Sequence, residues 1–106
     1  MTGKIKTVGV IGAGQMGSGI AHVSALAGYQ VKLYDVSADR IEAGIATVSG
    51  NLARQVHSGK LEDKIRQDAL KRIKPAKAME DLSDADLVIE AATEDETIKR
   101  KIFVQL

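Results

Sequence analysis

One stretch constrains this chain more than any other: Gly12-Ala13-Gly14-Gln15-Met16-Gly17, a G-x-G-x-x-G set between a short apolar run and a helical pattern. Upstream, Thr7 to Ile11 is apolar and β-branched, as expected of a strand buried on both faces of a parallel sheet. Downstream, from Gln15 to Ala27, Met16, Ile20, Val23 and Ala27 recur at helical spacing, and Gly28 supplies the residue expected just past a helix end. In a strand–turn–helix of this kind Gly12 allows the tight turn, Gly14 lets backbone approach a pyrophosphate, and Gly17 lets helix and strand pack closely. The free N–H groups and the positive dipole end of the helix then form an anion site. Gln30 to Tyr34 is a second strand closed by Asp35, and such a unit crosses over right-handed with its strands parallel. An acid at this strand end accepts hydrogen bonds from the ribose hydroxyls of a bound dinucleotide. Its carboxylate would also repel a 2′-phosphate, and no arginine precedes Arg40, so NAD is favoured over NADP.

Beyond Asp35, Ile41, Ile45, Val48, Leu52 and Val56 step by threes and fours, which predicts a long amphipathic helix from about Ala38 to His57. Ser58-Gly59-Lys60 breaks it. Glu62 to Arg72 reads as a second, antiparallel helix with Ile65, Ala69 and Ile73 facing inward. This helical pair exceeds what a simple crossover needs and is a candidate binding element. A weak third strand is expected at Ile73 to Lys77, on an edge because Pro75 cannot donate to a ladder. Asp86 to Ala92, containing Leu87-Val88-Ile89, is the fourth, and Thr93 with Glu96 forms a capping box that starts a last helix running to Leu106. Small residues at a strand's carboxyl end leave room in the crevice, which places Ala91 and Ala92 beside the cofactor. The expected fold is an α/β, Rossmann-type doubly wound parallel sheet, incomplete, with strand order 3-2-1-4 and a helical-pair excursion after the second strand.

Composition removes several function classes. With 15 basic against 14 acidic residues and a net charge of +1, the lysines and arginines are scattered among acids, so a nucleic-acid partner is not expected. There is no cysteine, which excludes disulfides, thiolate metal sites and cysteine nucleophiles and suits a cytoplasmic setting. His22 and His57 lie far apart on what read as separate helices, so no metal site is expected. The longest apolar run, from Val8 to the residue before Gln15, is too short to span a membrane. A chain of 106 residues builds one core at most.

Val8-Gly9-Val10-Ile11-Gly12-Ala13-Gly14-Gln15-Met16-Gly17-Ser18-Gly19-Ile20-Ala21, then Tyr34-Asp35-Val36-Ser37, then Ala85-Asp86-Leu87-Val88-Ile89-Glu90-Ala91-Ala92-Thr93-Glu94 resemble the NAD half of the 3-hydroxyacyl-CoA dehydrogenases, especially the 3-hydroxybutyryl-CoA type. The resemblance covers the whole chain. It implies contact of Glu94 near the nicotinamide ribose, with Lys99 reaching the same region. Glu94, Asp95 and Glu96 also all fall in the first turn of the expected last helix, where acids stabilise the dipole by about 0.3–1 kcal/mol each without a ligand. In the family, the helical pair holds the coenzyme A portion of the substrate through a serine and a lysine. By count these fall at Asn51 and Ser58; Ser58 lacks the lysine's charge, which only neighbouring Arg54 or Lys60 could restore.

What the resemblance implies is an oxidoreductase of fatty acid metabolism that moves hydride between NAD and a 3-hydroxyacyl-CoA; a homo-oligomer is expected because the edge beside Leu87-Val88-Ile89 would be left unpaired. The family's catalytic histidine follows a fifth strand, so neither His22 nor His57 takes that role, no catalytic residue is expected here, and residues 1–106 alone are expected to be inactive. The later strands and a C-terminal helical domain of the family are expected to lie outside them. The alternatives are an NAD(H)-binding or sensing module without catalysis and the cofactor domain of another β-hydroxyacid dehydrogenase.

Overall fold

A computed structural model describes residues 5–91 and, for the backbone, 101–104. The elements run β1 (Thr7–Ile11), α1 (Gln15–Leu26), β2 (Gln30–Tyr34), α2 (Ala38–His57), α3 (Asp63–Arg72), β3 (Ile73–Pro75), a 3-10 turn (Met79–Leu82), β4 (Leu87–Glu90) and β5 (Lys101–Val104). The sheet order is β3-β2-β1-β4-β5. β1 pairs in parallel with β2 and β4, and β2 pairs in parallel with β3. The expected order is therefore found, and Pro75 lies in the edge strand β3, where its missing N–H costs no ladder bond.

Alternation along the strands builds two cores. Val8 and Val10 of β1 with Val31 and Leu33 of β2 face the helices and are closed by Ala21 and Ala25 of α1, Ile41, Val48 and Leu52 of α2, and Ala69 of α3. The opposite face carries a smaller cluster of Ala76, Leu82, Ala85 and Val88, which Ile11 and Tyr34 flank. The 3-10 turn, which the sequence pattern does not announce, supplies Leu82 to that cluster. It is held by Asp81, whose Oδ2 accepts from the backbone N–H groups of Lys77 (2.9 Å) and Ala78 (3.1 Å). Gly9 permits the approach, since a side chain there would meet Leu82 at 3.2 Å. Asp86 ties the start of β1 to β4, its Oδ2 accepting from the N–H groups of Lys6 (2.8 Å) and Thr7 (3.0 Å). Those two bonds hold its carboxyl below the usual carboxylate range.

The packing of α1 is a finding, and two expectations, on α3 and on the last helix, are corrected. On α1 the buried residues are Gly17, Ser18, Ala21 and Ala25, while Val23 is 62% exposed, so the helix packs through its small side chains rather than its larger apolar ones. Only a small-residue face lets the helix descend onto β1 closely enough to continue the glycine turn. On α3, Ala69 is buried and Ile65 is exposed, because α3 is short and touches α1 with one narrow stripe. The helix expected through Leu106 does not include Lys101–Val104, which form β5, antiparallel to β4 with Val88 opposite Phe103. The β-branched and aromatic run Ile102-Phe103-Val104 suits a strand, and it satisfies the backbone edge that β4 would otherwise leave open.

Candidate functional site

The carboxyl ends of β1 and β2 carry the glycine loop and its acid side by side. Gly12, at φ +104°, takes the left-handed conformation, and its N–H donates to the Tyr34 carbonyl at 2.7 Å. A side chain on Gly17 would place its Cβ 1.6 Å from the Gly12 carbonyl oxygen, so no other residue fits without moving the loop. Around Gly14 nothing lies within 4 Å of where a Cβ would stand, and Gly14 and Gln15 are exposed, Met16 half-buried and Ala13 buried. The space beside Gly14 is thus kept open by the fold rather than filled by it. Gly14 is the N-cap of α1, no side chain caps the helix, and its first turn holds no acid. The orphan donors of that turn and the dipole therefore face an anion with no internal competitor.

Asp35 follows β2 and is half-buried. Its Oδ2 accepts from the Ala13 N–H at 2.9 Å and its Oδ1 from the Ser37 N–H at 3.0 Å. Each carboxylate oxygen retains a second lone-pair direction with which to accept a hydroxyl proton. The same carboxylate thus fixes the loop and keeps capacity to accept a further hydrogen bond. An apolar cavity of about 530 Å3 opens next to it, between Tyr34, Val36, Ile41, Ile45 and Pro75.

Two residues not singled out in the sequence complete the loop. Ser18, buried in α1, donates from Oγ to the Ala13 carbonyl at 3.1 Å. Gly44 brings α2 against this pair, since a Cβ on it would lie 2.9 Å from both the Ala13 oxygen and Ser18 Oγ. The available signal was an isolated glycine on the buried stripe of an otherwise well-formed helix, three residues after Ile41. Arg40, Ala43, Gly44 and Thr47 form one face of α2 along a groove of about 520 Å3 floored by Gly14 and Gln15.

Ala91 lies immediately beyond β4, buried, and its N–H donates to the Ile11 carbonyl at 2.7 Å, which places it at the carboxyl edge beside the glycine loop. Ala92, Glu94 and Lys99 lie outside the described residues. Asn51, Arg54, Ser58 and Lys60 come together around one cavity of about 660 Å3 at the far end of α2, with His22, Gln55 and His57. Arg54 donates to Asn51 Oδ1, and Ser58 Oγ donates to the Gln55 carbonyl at 3.2 Å. The two histidines, distant in sequence, thus share a wall of the same cavity. Among the described residues no three histidine, aspartate or glutamate side chains converge on a common point, and no helix is long and apolar enough to cross a membrane.

Residues 7–106 match the family described as 3-hydroxyacyl-CoA dehydrogenase, NAD binding domain. The chain belongs to that family. A 3-hydroxybutyryl-CoA dehydrogenase of Bradyrhizobium diazoefficiens is 58% identical over 106 residues, all of this chain and 36% of that protein. A 3-hydroxyadipyl-CoA dehydrogenase of Escherichia coli is 44% identical over 102 residues, 96% of this chain and 22% of the relative. Among solved structures, an (S)-3-hydroxybutyryl-CoA dehydrogenase from Ralstonia eutropha superposes with a TM-score of 0.83 at 43% identity, over 87% of this chain and 32% of that one. The chain therefore spans about a third or less of the length of these relatives, and what it shares with them is the family's NAD-binding domain.

Proposed function

We propose that this domain binds NAD(H) in preference to NADP(H) and serves reversible hydride transfer between NAD and a short-chain 3-hydroxyacyl-CoA of the 3-hydroxybutyryl type. The observation that carries the cofactor reading is Asp35. Its carboxylate is held by the Ala13 and Ser37 N–H groups beside an uncapped helix start, so ribose hydroxyls are accepted where a 2′-phosphate would meet a fixed negative charge. The pyrophosphate lies along Gly12, Ala13, Gly14, Gln15, Met16 and Gly17, and Ala91, Ala92, Glu94 and Lys99 are assigned to the nicotinamide side. That assignment rests on the resemblance.

The coenzyme A moiety is assigned to the cavity of Asn51, Arg54, Ser58 and Lys60. Arg54 and Lys60 supply the cationic charge that Ser58 lacks, and the cavity wall carries no carboxylate. The catalytic histidine, homo-oligomeric assembly and a cytoplasmic role in fatty acid metabolism belong to the same reading and are proposed with it. Calorimetric titration of the chain with NADH and NADPH tests the cofactor assignment. NADH binding at least tenfold tighter than NADPH is expected, and equal affinities would overturn it.

A further inference from the structure

The cavity at the end of α2 holds more cationic capacity than the coenzyme A reading uses. His22 of α1 and His57 of α2 enter it beside Arg54 and Lys60, while Asn51 and Gln55 contribute amides. One turn either side of His22, α1 presents Ser18, Gly19, Ala25 and Leu26, none of them charged, and α2 brings Arg54 alongside His57. The third helix packed on both, α3, sends Arg72 away to the Ala25 carbonyl at 2.8 Å. No carboxylate lines the cavity, whose other polar groups are the Arg54 and Lys60 cations, the Asn51 and Gln55 amides and the Ser58 hydroxyl. Gln55 Oε1 is in addition the one described buried side-chain polar atom without a hydrogen-bond partner. A wall with four groups able to carry positive charge, two of them permanently, fits a dianion better than a monoanion.

We propose that His22 and His57 are binding residues for the 3′-phosphate monoester of coenzyme A, and that they make its capture proton-linked. The inference rests on the assignment of coenzyme A to this cavity. An imidazole ordinarily titrates near pH 6.5 and the second proton of a phosphate monoester near pH 6. The pairing needs a protonated ring and a dianionic phosphate together. Affinity that depends on both passes through a maximum between the two titrations and falls on either side. A cavity acting through Arg54 and Lys60 alone behaves differently, because only the phosphate titrates and affinity falls steadily as the pH is lowered.

The experiment is isothermal titration of the chain with coenzyme A and with 3′-dephospho-coenzyme A between about pH 5 and pH 8, for the wild type, His22→Gln, His57→Gln and the double variant. Circular dichroism checks that each variant folds, and His57, being exposed, gives a substitution with no packing consequence. The wild type is expected to bind coenzyme A with an affinity maximum inside that range, several-fold tighter than at pH 8. In the double variant that maximum gives way to a steady loss toward low pH, with each single variant in between. For 3′-dephospho-coenzyme A the affinity is expected to stay flat. A wild-type profile without a maximum, a maximum that survives in the double variant, or the same maximum with the dephospho compound overturns the proposal. Failure of the wild type to bind coenzyme A at every pH instead overturns the assignment of the cavity itself.

Discussion

Alanine at Gly44 and alanine at Gly19 should move stability in opposite directions, although both replace a glycine inside a helix. By propensity alone each change stabilises by about 0.8–1 kcal/mol, since alanine loses less backbone entropy than glycine. At Gly19 a new Cβ meets nothing within 4 Å, so that gain is kept. At Gly44 the Cβ arrives 2.9 Å from the Ala13 carbonyl oxygen and 2.9 Å from Ser18 Oγ, with Ala13 Cβ at 3.3 Å. None of these is the far end of a flexible chain, so α2 must lift from the loop or the loop must shift. Overpacking of this kind costs about 1–3 kcal/mol, which outweighs the propensity gain and leaves Gly44→Ala destabilised by up to about 2 kcal/mol. For a domain of this size, 1 kcal/mol corresponds to roughly 4–8 °C in Tm. Thermal and urea unfolding should therefore show Gly19→Ala several degrees above the wild type and Gly44→Ala below it. Because the displaced atoms belong to the glycine loop, Gly44→Ala should also weaken NADH binding, which fluorescence titration measures. If Gly44→Ala is as stabilising as Gly19→Ala and binds NADH normally, the packing of α2 on the loop is not what the distances imply.

Other perturbations separate the loop's structural glycines from the one kept open. Gly17→Ala places a Cβ 1.6 Å from the Gly12 oxygen and should lower Tm sharply, whereas Gly14→Val, with open space around it, should keep the circular dichroism spectrum and lose NADH binding; a Gly14→Val protein that still binds NADH would refute the placement of the pyrophosphate. Asp35→Ala removes a charge-assisted acceptor worth about 1.5–3 kcal/mol and should weaken NADH by tenfold or more in calorimetry, with NADPH gaining relative to it. Asp63, Asp84 and Asp86 are each held below their ordinary value of 3.8, the first mainly by its hydrogen bond from Arg66, the second by that from Lys32, the third by the Lys6 and Thr7 N–H groups. A depressed carboxyl contributes stability that is present above pH 3.8 and lost as the pH falls through the folded value, so Tm should decline below about pH 4, and less steeply in Asp86→Ala. An unchanged acid slope in that variant would show that Asp86 does not contribute to it.

Much of this could be read from the sequence where local pattern and tertiary role coincide. β1 and β2 begin and end where the apolar runs do, and α2 spans the residues that its stripe from Ile41 to Leu52 requires. α1 was legible as a helix but not in its orientation, because a helix that must approach a strand closely buries glycine, serine and alanine and leaves Val23 to solvent. Hydrophobic periodicity cannot report a preference for small volume. β5 was misread for another reason: the capping box at Thr93 and Glu96 is a local signal, whereas pairing of Lys101–Val104 with β4 is decided by an edge distant in sequence. The convergence of His22 and His57 likewise follows from the packing of α1 on α2, which no spacing within either helix encodes.

The glycine loop is held from three sides at once, and this determines how well it can bind. β2 fixes Gly12 through the Tyr34 carbonyl, Asp35 fixes the Ala13 N–H, and α1 returns through Ser18 to the Ala13 carbonyl. Ala13 therefore has both its backbone groups engaged, which orients the neighbouring peptides of Gly14 and Gln15 outward before any ligand arrives. An anion meeting donors already in place avoids the ordering cost that a mobile loop would impose on binding. On the proposed reading Asp35 connects this preorganisation to sugar recognition, because the carboxylate proposed to discriminate against a 2′-phosphate also holds the loop proposed to receive the pyrophosphate. Replacing it loosens both contacts together, so its effect on affinity should exceed that of one lost ribose hydrogen bond. An asparagine, which keeps an oxygen acceptor for the Ala13 N–H while giving up the charge, should recover part of the loop contribution and none of the discrimination against NADP.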